Sequence, residues 1–276
     1  MMDSAALDAV LDEPYALTAE QIERFERFGY AKLSGVLPAE TLARYREPIR
    51  ETTMANDPKA DIPLEEKDTY GKAFIQVCNL WRMNEAVKRF VMSRRLGRIA
   101  AELLGVSGVR LYHDQALFKE ATGGITPWHV DQFYWPLATD RTVTAWIPLV
   151  EVPIEMGPLS FAAGSHKLGL GRDLGISDDS ERELRESIEA AACPLEASAY
   201  ALGDVSFHLG WTAHRAGPNQ GDRAREVMTV IYMDEAMRLK SPEHDFQKAD
   251  REAFCPGVGV GEVVASEMNP VVYSRG

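Results

Sequence analysis

The sequence predicts an α+β protein with a mainly β core: a sheet sandwich or barrel with helices packed outside it. Two observations carry this. The first third of the 276-residue chain shows helical periodicity and helix caps, whereas from Val109 onward short alternating strands are separated by Gly, Pro, Asn and Asp. Hydrophobic residues make up 45% and charged residues 26%, the values of a globular chain long enough to bury a large core.

In chain order, Thr18 followed by Gln21 forms a capping-box pattern, with Ile22, Phe25 and Phe28 as an apolar stripe behind it. "GYAKLSGVL" predicts a short strand, and Pro38 opens a second helix through about Arg50. "MNEAVKRFVMSRRLGRIAAELLG" predicts one long helix with Asn84 as N-cap, an apolar stripe from Val87 to Leu104, and Gly105 as the stop. "VRLYHDQALFK", "RTVTAWIPLVEV", "GPLSFAAGSH", "GDVSFHLGW" and "REVMTVIYMDE" are rich in Val, Thr and aromatics and alternate as strands do. Residues 177–192 interrupt them as a charged helix opened by Ser177 or Ser180. No internal repeat or Gly/Ser linker divides the chain, so one domain over 1–276 is expected. Residues up to about 105 would give helical support, about 106–235 the β core with an insertion at 168–200, and 236–276 a tail over the site.

The formal net charge of −12 argues against nucleic acid and anionic membrane surfaces as partners, which leaves a small molecule. The start "MMDSAALDAVLDEP" lacks the basic n-region of a signal peptide, and no apolar run is long enough to span a bilayer. Cys78, Cys193 and Cys255 are odd in number and far apart, which fits a reducing cytoplasm better than a disulfide scaffold or zinc cluster. Nothing in the sequence sets an oligomeric state.

The chemistry-bearing stretch is "GGITPWHVDQFYWPL". Its His129-Val-Asp131 is no more than chance predicts from six histidines among 42 acids. In extended chain, however, residues i and i+2 point to one side, so the two can offer ligands to one point. His214, at the end of a predicted strand, would complete the two-His-one-carboxylate set of non-haem Fe(II) oxygenases. His208 competes with it for the third position, at the other end of the same predicted strand. Arg225 opens "REVMTVIYM", where a guanidinium could clamp the far carboxylate of a 2-oxoacid.

"PWHVDQ", "GPLSFAAGSHKLG" and "GDVSFHLGWTAHRAGPNQGDRAR" occur in an order that resembles the phytanoyl-CoA dioxygenase family of Fe(II)/2-oxoglutarate oxygenases, which includes ectoine hydroxylases. The resemblance runs from about residue 20 to the C-terminus. It implies a double-stranded β-helix, a jelly-roll or cupin-like barrel with helices against one sheet. It implies Fe(II), 2-oxoglutarate as co-substrate and O₂, with His129, Asp131 and His214 as iron ligands and Arg225 on the distal carboxylate. His208 then becomes a sheet histidine or a neighbour of the ligands. Tyr112 and Gln115 fall where the family contacts 2-oxoglutarate, and Trp135, Thr144 and Trp146 on the same cavity. Trp128, Phe133 and Tyr134 would wall the substrate pocket. Ala216 departs from a serine common two residues after the distal histidine, which leaves more of the co-substrate's holding to Arg225. The intact Asp131 points to hydroxylation or another oxidative step, because related halogenases replace this carboxylate.

His166 is expected in a structural turn, His113 and His244 at the surface or in packing, and Lys119 in solvent. The segments 168–200 and 236–276 are expected to determine substrate. Two other readings fit a jelly roll: a cupin-like metal enzyme that does not use 2-oxoglutarate, and a non-catalytic binding protein. Iron- and oxoacid-dependent O₂ consumption separates them.

Overall fold

The structure, a computed structural model, describes residues 4–62, 66, 71 and 73–275. Its helices are α1 (Ser4–Ala9), α2 (Ala19–Phe28), α3 (Ala39–Ala55), α4 (Glu85–Val91), α5 (Arg94–Leu104), α6 (Asp178–Ala190) and α7 (Asp245–Phe254). Its strands are β1 (Tyr30–Leu33), β2 (Ile75–Cys78), β3 (Gly108–Lys119), β4 (Thr126–His129), β5 (Thr142–Pro148), β6 (Leu159–Ala162), β7 (Leu195–Ala197), β8 (Val205–Leu209), β9 (His214–Ala216), β10 (Arg225–Asp234) and β11 (Val271–Ser274).

Among the described residues the strands form two antiparallel sheets, the two halves of a double-stranded β-helix. The larger runs β1-β8-β5-β10-β3-β11, with β2 also on β3, and the smaller runs β4-β9-β6-β7. The two-residue period of the strands sorts the large sheet's side chains onto opposite faces. Val143, Ala145, Ile147, Val205, Phe207, Met228 and Val230 turn outward and share one core with Phe25, Leu42, Ile49, Phe90, Leu96 and Ile99 of the helices. Each fully buried Leu or Ile there contributes about 1.5–3 kcal/mol relative to exposure. Thr144, Trp146, His208, Arg225 and Thr229 turn inward to the space between the sheets.

The N-terminal helices cover one sheet, as expected. The Thr18–Gln21 capping box, the Asn84 N-cap, the left-handed Gly105 stop and the Ser177 cap all form. Four local expectations are corrected. The long helix is two, α4 and α5, because Ser93 is buried, caps Leu96 N and donates to Leu11 O. The second helix continues past Arg50 to Ala55, with Pro48 inside it. His214 opens a short strand of its own instead of ending one. The tail, expected only as a cover over the site, carries α7, and its β11 joins the large sheet beside β3. No helix among the described residues is long and apolar enough to cross a membrane.

Candidate metal and co-substrate site

His129 closes β4, and Asp131 opens a 3-10 turn over Asp131–Tyr134, with the extended Val130 between them. Residues 129 and 131 therefore still face one side. β4 pairs with β9 so that His129 lies directly opposite His214, and the ring centroids are 4.2 Å apart. Each ring places Nδ1 against the carbonyl two residues earlier: Pro127 O at 2.8 Å and Thr212 O at 2.9 Å. A carbonyl only accepts, so both Nδ1 atoms carry the proton and both Nε2 lone pairs face inward. The Nε2 atoms lie 3.6 and 3.7 Å from Asp131 Oδ1. One ligand atom from each residue falls within 4.8 Å of the others, close enough for one metal ion.

The electrostatics suit a cation. Burial, with the neighbouring histidine ring, pushes His129 and His214 down to about 4, so both are the neutral imidazoles that a metal requires. Burial works to raise the Asp131 carboxyl, but His214, His208 and His129 hold it well below the usual carboxylate range. Its Oδ2 accepts from Thr144 Oγ1 at 3.0 Å and meets His208 Nε2 at 3.3 Å, leaving Oδ1 toward the histidines. His208 and His214 are not two ends of one strand. They lie on β8 and β9, in opposite sheets, and face each other at 4.4 Å across the sandwich.

Above the cluster lies a cavity of about 520 Å³. At one end Arg225, 1% exposed, donates through Nη1 to Gly157 O and lies 5.4 Å from the Trp146 ring. Gly157 has φ +65° and sits against the Gly217 backbone, where a Cβ would collide, so the carbonyl can be offered only from a glycine. Among the described residues no carboxylate pairs with Arg225, whose Nε has no partner. Burial lowers the guanidinium to about 10.

Gln115, Trp135, Tyr134, Thr144, Trp146 and His208 line the cavity. Trp128, Phe133 and Tyr112 do not. Trp128 alternates with His129 on β4 and so turns outward beneath α6, among Val130, Leu184 and Ile188. Phe133 packs in the same cluster and stacks on His244 at 4.3 Å. Tyr112 is the extra residue at a bulge in the β3–β10 pairing, and its hydroxyl donates to Asp250 one layer behind the cavity wall.

Lys119 is not solvated. It is fully buried opposite Arg225, donates to Gly124 O and Gly217 O, and is lowered to about 6 by burial and by Arg225. His113 is in packing, the second of the two placements expected for it: it stacks on Phe254 and also lines the cavity. Ala216 faces the cavity without a hydroxyl, yet Thr126, opposite it on β4, lines the same space and brings one. Both segments expected to determine substrate reach the cavity, through Ile176 and through Phe246, Asp250 and Phe254. Tyr134 ties the first to the motif by accepting from Ile176 N at 2.6 Å. The tail residues were missed for lack of a strand pattern, although their spacing of four marks one helix face.

The sequence model of the phytanoyl-CoA dioxygenase family matches residues 25–227. The chain belongs to this family. It is 27% identical over 271 residues to the ectoine dioxygenase of Stutzerimonas stutzeri (strain A1501), covering 87% of this chain and 86% of that one. It is 24% identical over 223 residues to a probable alpha-ketoglutarate-dependent hypophosphite dioxygenase of Stutzerimonas stutzeri, covering 78% of each. Among solved structures, the non-heme alpha ketoglutarate dependent epimerase SnoN from nogalamycin biosynthesis superposes with a TM-score of 0.72 at 25% identity, covering 98% of this chain and 100% of that one.

Proposed function

We propose that His129, Asp131 and His214 hold the iron of this 2-oxoglutarate-dependent dioxygenase, that Arg225 holds the distal carboxylate of 2-oxoglutarate, and that the enzyme hydroxylates a small molecule. The observation that carries the reading is Arg225: a buried guanidinium with no carboxylate partner among the described residues, in the cavity that also holds the three-donor cluster. A buried cation without a counter-charge is costly, and a dicarboxylate co-substrate supplies the missing anion. The donor set fits iron(II), with two imidazole nitrogens, one carboxylate oxygen and room left for co-substrate and O₂. Iron(II), when bound, supplies the redox chemistry toward O₂ that no side chain here offers.

The chain's own residues do the rest. Thr144 and His208 orient Asp131, the Pro127 and Thr212 carbonyls set the histidine tautomers, and Trp146 covers the Arg225 guanidinium. Gln115, Thr126 and Trp135 line the cavity where they would border the co-substrate, and Tyr134 and the tail aromatics line it where they would keep water from the reacting carbon. In the overall reaction 2-oxoglutarate becomes succinate and CO₂, with one atom of O₂ entering succinate and the other the substrate. The docking of β11 onto β3 supports one oxygenase domain over 1–276, and the three free cysteines a reducing cytoplasm.

Anaerobic calorimetry of 2-oxoglutarate with the Fe(II)-loaded protein tests the reading. Saturable binding that disappears without metal is expected. No binding by the loaded wild-type protein would overturn it in favour of a cupin-like enzyme.

A further inference from the structure

The cavity carries a second unbalanced charge, of opposite sign. Phe246, Asp250 and Phe254 follow one another at intervals of four on α7, share one face, and line the cavity. The helix is fixed in place: His244 caps it, and Gln247 Nε2 donates to Phe133 O at 3.0 Å. Asp250 Oδ2 accepts from Tyr112 Oη at 3.1 Å, and among the described residues no lysine or arginine pairs with this carboxylate. Burial pushes it up to about 7, as befits an acid lacking a counter-cation.

The surroundings are aromatic. Phe254 stacks on His113 with centroids 4.1 Å apart, and Tyr112 meets Trp135 and Phe254, each at 5.6 Å. His113 is buried and uncharged, lowered to about 4 by burial, and its Nδ1 has no partner. One end of the cavity thus holds the Arg225 cation, and the other a lone carboxylate among rings with a neutral imidazole. A carboxylate walled by aromatic faces attracts an organic cation twice, by charge and by ring quadrupoles. A neutral hydroxyl would gain only part of the first.

We propose that Asp250 receives a protonated nitrogen of the substrate, so that the substrate class is a small amine on an apolar or ring-bearing framework. The inference rests on the reading that Arg225 and the three-donor cluster occupy the other lobe. Asp250 sets specificity and takes no part in the oxidation itself.

The test titrates protein loaded with Mn(II) and 2-oxoglutarate with 2-phenylethylamine, 2-phenylethanol and phenylacetate, which share a ring and a two-carbon reach but differ in charge. The amine is expected to bind at least about tenfold more tightly than either other probe, as a charge-assisted contact requires. Asp250→Asn should bring the amine to the level of the alcohol while 2-oxoglutarate affinity stays unchanged, and Tyr112→Phe should keep the preference. An amine that binds no better than the alcohol to the wild-type protein overturns the proposal, as does an Asp250→Asn protein that retains the preference. Repeating the titration without Mn(II) and 2-oxoglutarate separates the two readings. Failure of 2-oxoglutarate to bind counts against the co-substrate reading, whereas loss of amine preference in the bare protein counts against Asp250.

Discussion

His129 and His214 face each other across the β4–β9 pair, and each donates its Nδ1–H to the carbonyl two residues earlier in the chain. The shared geometry aims both Nε2 lone pairs at the space beside Asp131 Oδ1 before any ligand arrives. A metal entering there finds the correct tautomers in place and need not displace a proton from either ring.

Replacement of His214 by Ala removes one of those donors. Metal affinity should fall at least about 100-fold, and substrate-dependent succinate release should become undetectable. Metal-binding calorimetry and succinate assay check the two effects separately. Full activity in the variant would remove His214 from the metal set.

Arg225 is the second test. Its replacement by Met should raise the KM for 2-oxoglutarate roughly 100-fold, about 2–3 kcal/mol, with much less effect on kcat. The thermal stabilisation by 2-oxoglutarate, about 2.7 kcal/mol for wild type at 100 times its Kd, should fall to about 0.4 kcal/mol in the variant at the same concentration. Arg225→Lys should restore part of it, since a point charge replaces a two-pronged donor.

Much of this site was legible in the sequence because its motifs occur in the order that the family resemblance requires, and strand alternation added the shared side of residues 129 and 131. The resemblance implied His129, Asp131, His214 and Arg225 together, the two-residue period supported a shared side for residues 129 and 131, and the polar residues that cap α2, α4 and α6 were readable from their side-chain chemistry. Alternation also explains the failure at Trp128: crowding beside His129 suggested a pocket wall, but adjacent strand residues take opposite faces. Tyr112 was expected at the co-substrate from the family resemblance; it sits at a bulge in β3, and its hydroxyl donates to Asp250 instead. Lys119 was misread because the acceptors that make its burial tolerable, Gly124 O and Gly217 O, are backbone atoms of other segments. Asp250 lay in a tail with no strand pattern, and only folding brings its helix face to the cavity.

Thr144 probes the support behind the metal ligands. Thr144→Val keeps the shape but deletes the hydroxyl that donates to Asp131 Oδ2. Metal affinity should drop roughly tenfold, the usual cost of losing such a supporting contact. Thr144→Ser should restore it, which a mere packing role would not produce. Titration with Mn(II), followed by calorimetry, reads both variants.

Asp250 gives a pH signature. Burial raises its carboxyl to about 7, so in the ligand-free cavity it is protonated below that pH and ionised above it. A protonated amine binds the ionised form. Affinity for 2-phenylethylamine should therefore rise about tenfold per pH unit from about pH 5 toward 7 and level off near pH 8. Lys119, lowered to about 6, and Asp114 also titrate in that window, but both remain in Asp250→Asn, so only the difference between the two proteins reports Asp250. Cys78, Tyr134 and Cys255 are raised to about 12, Tyr112 well above its ordinary value, and His113 lowered to about 4, while the Arg251 guanidinium donates to Val258 O. Asp114, raised to about 7, is buried beneath the Trp81 amide. Calorimetry across the range in wild type and Asp250→Asn checks the assignment: the variant should lose most of the slope, and an equal slope in both proteins would place the titrating group elsewhere.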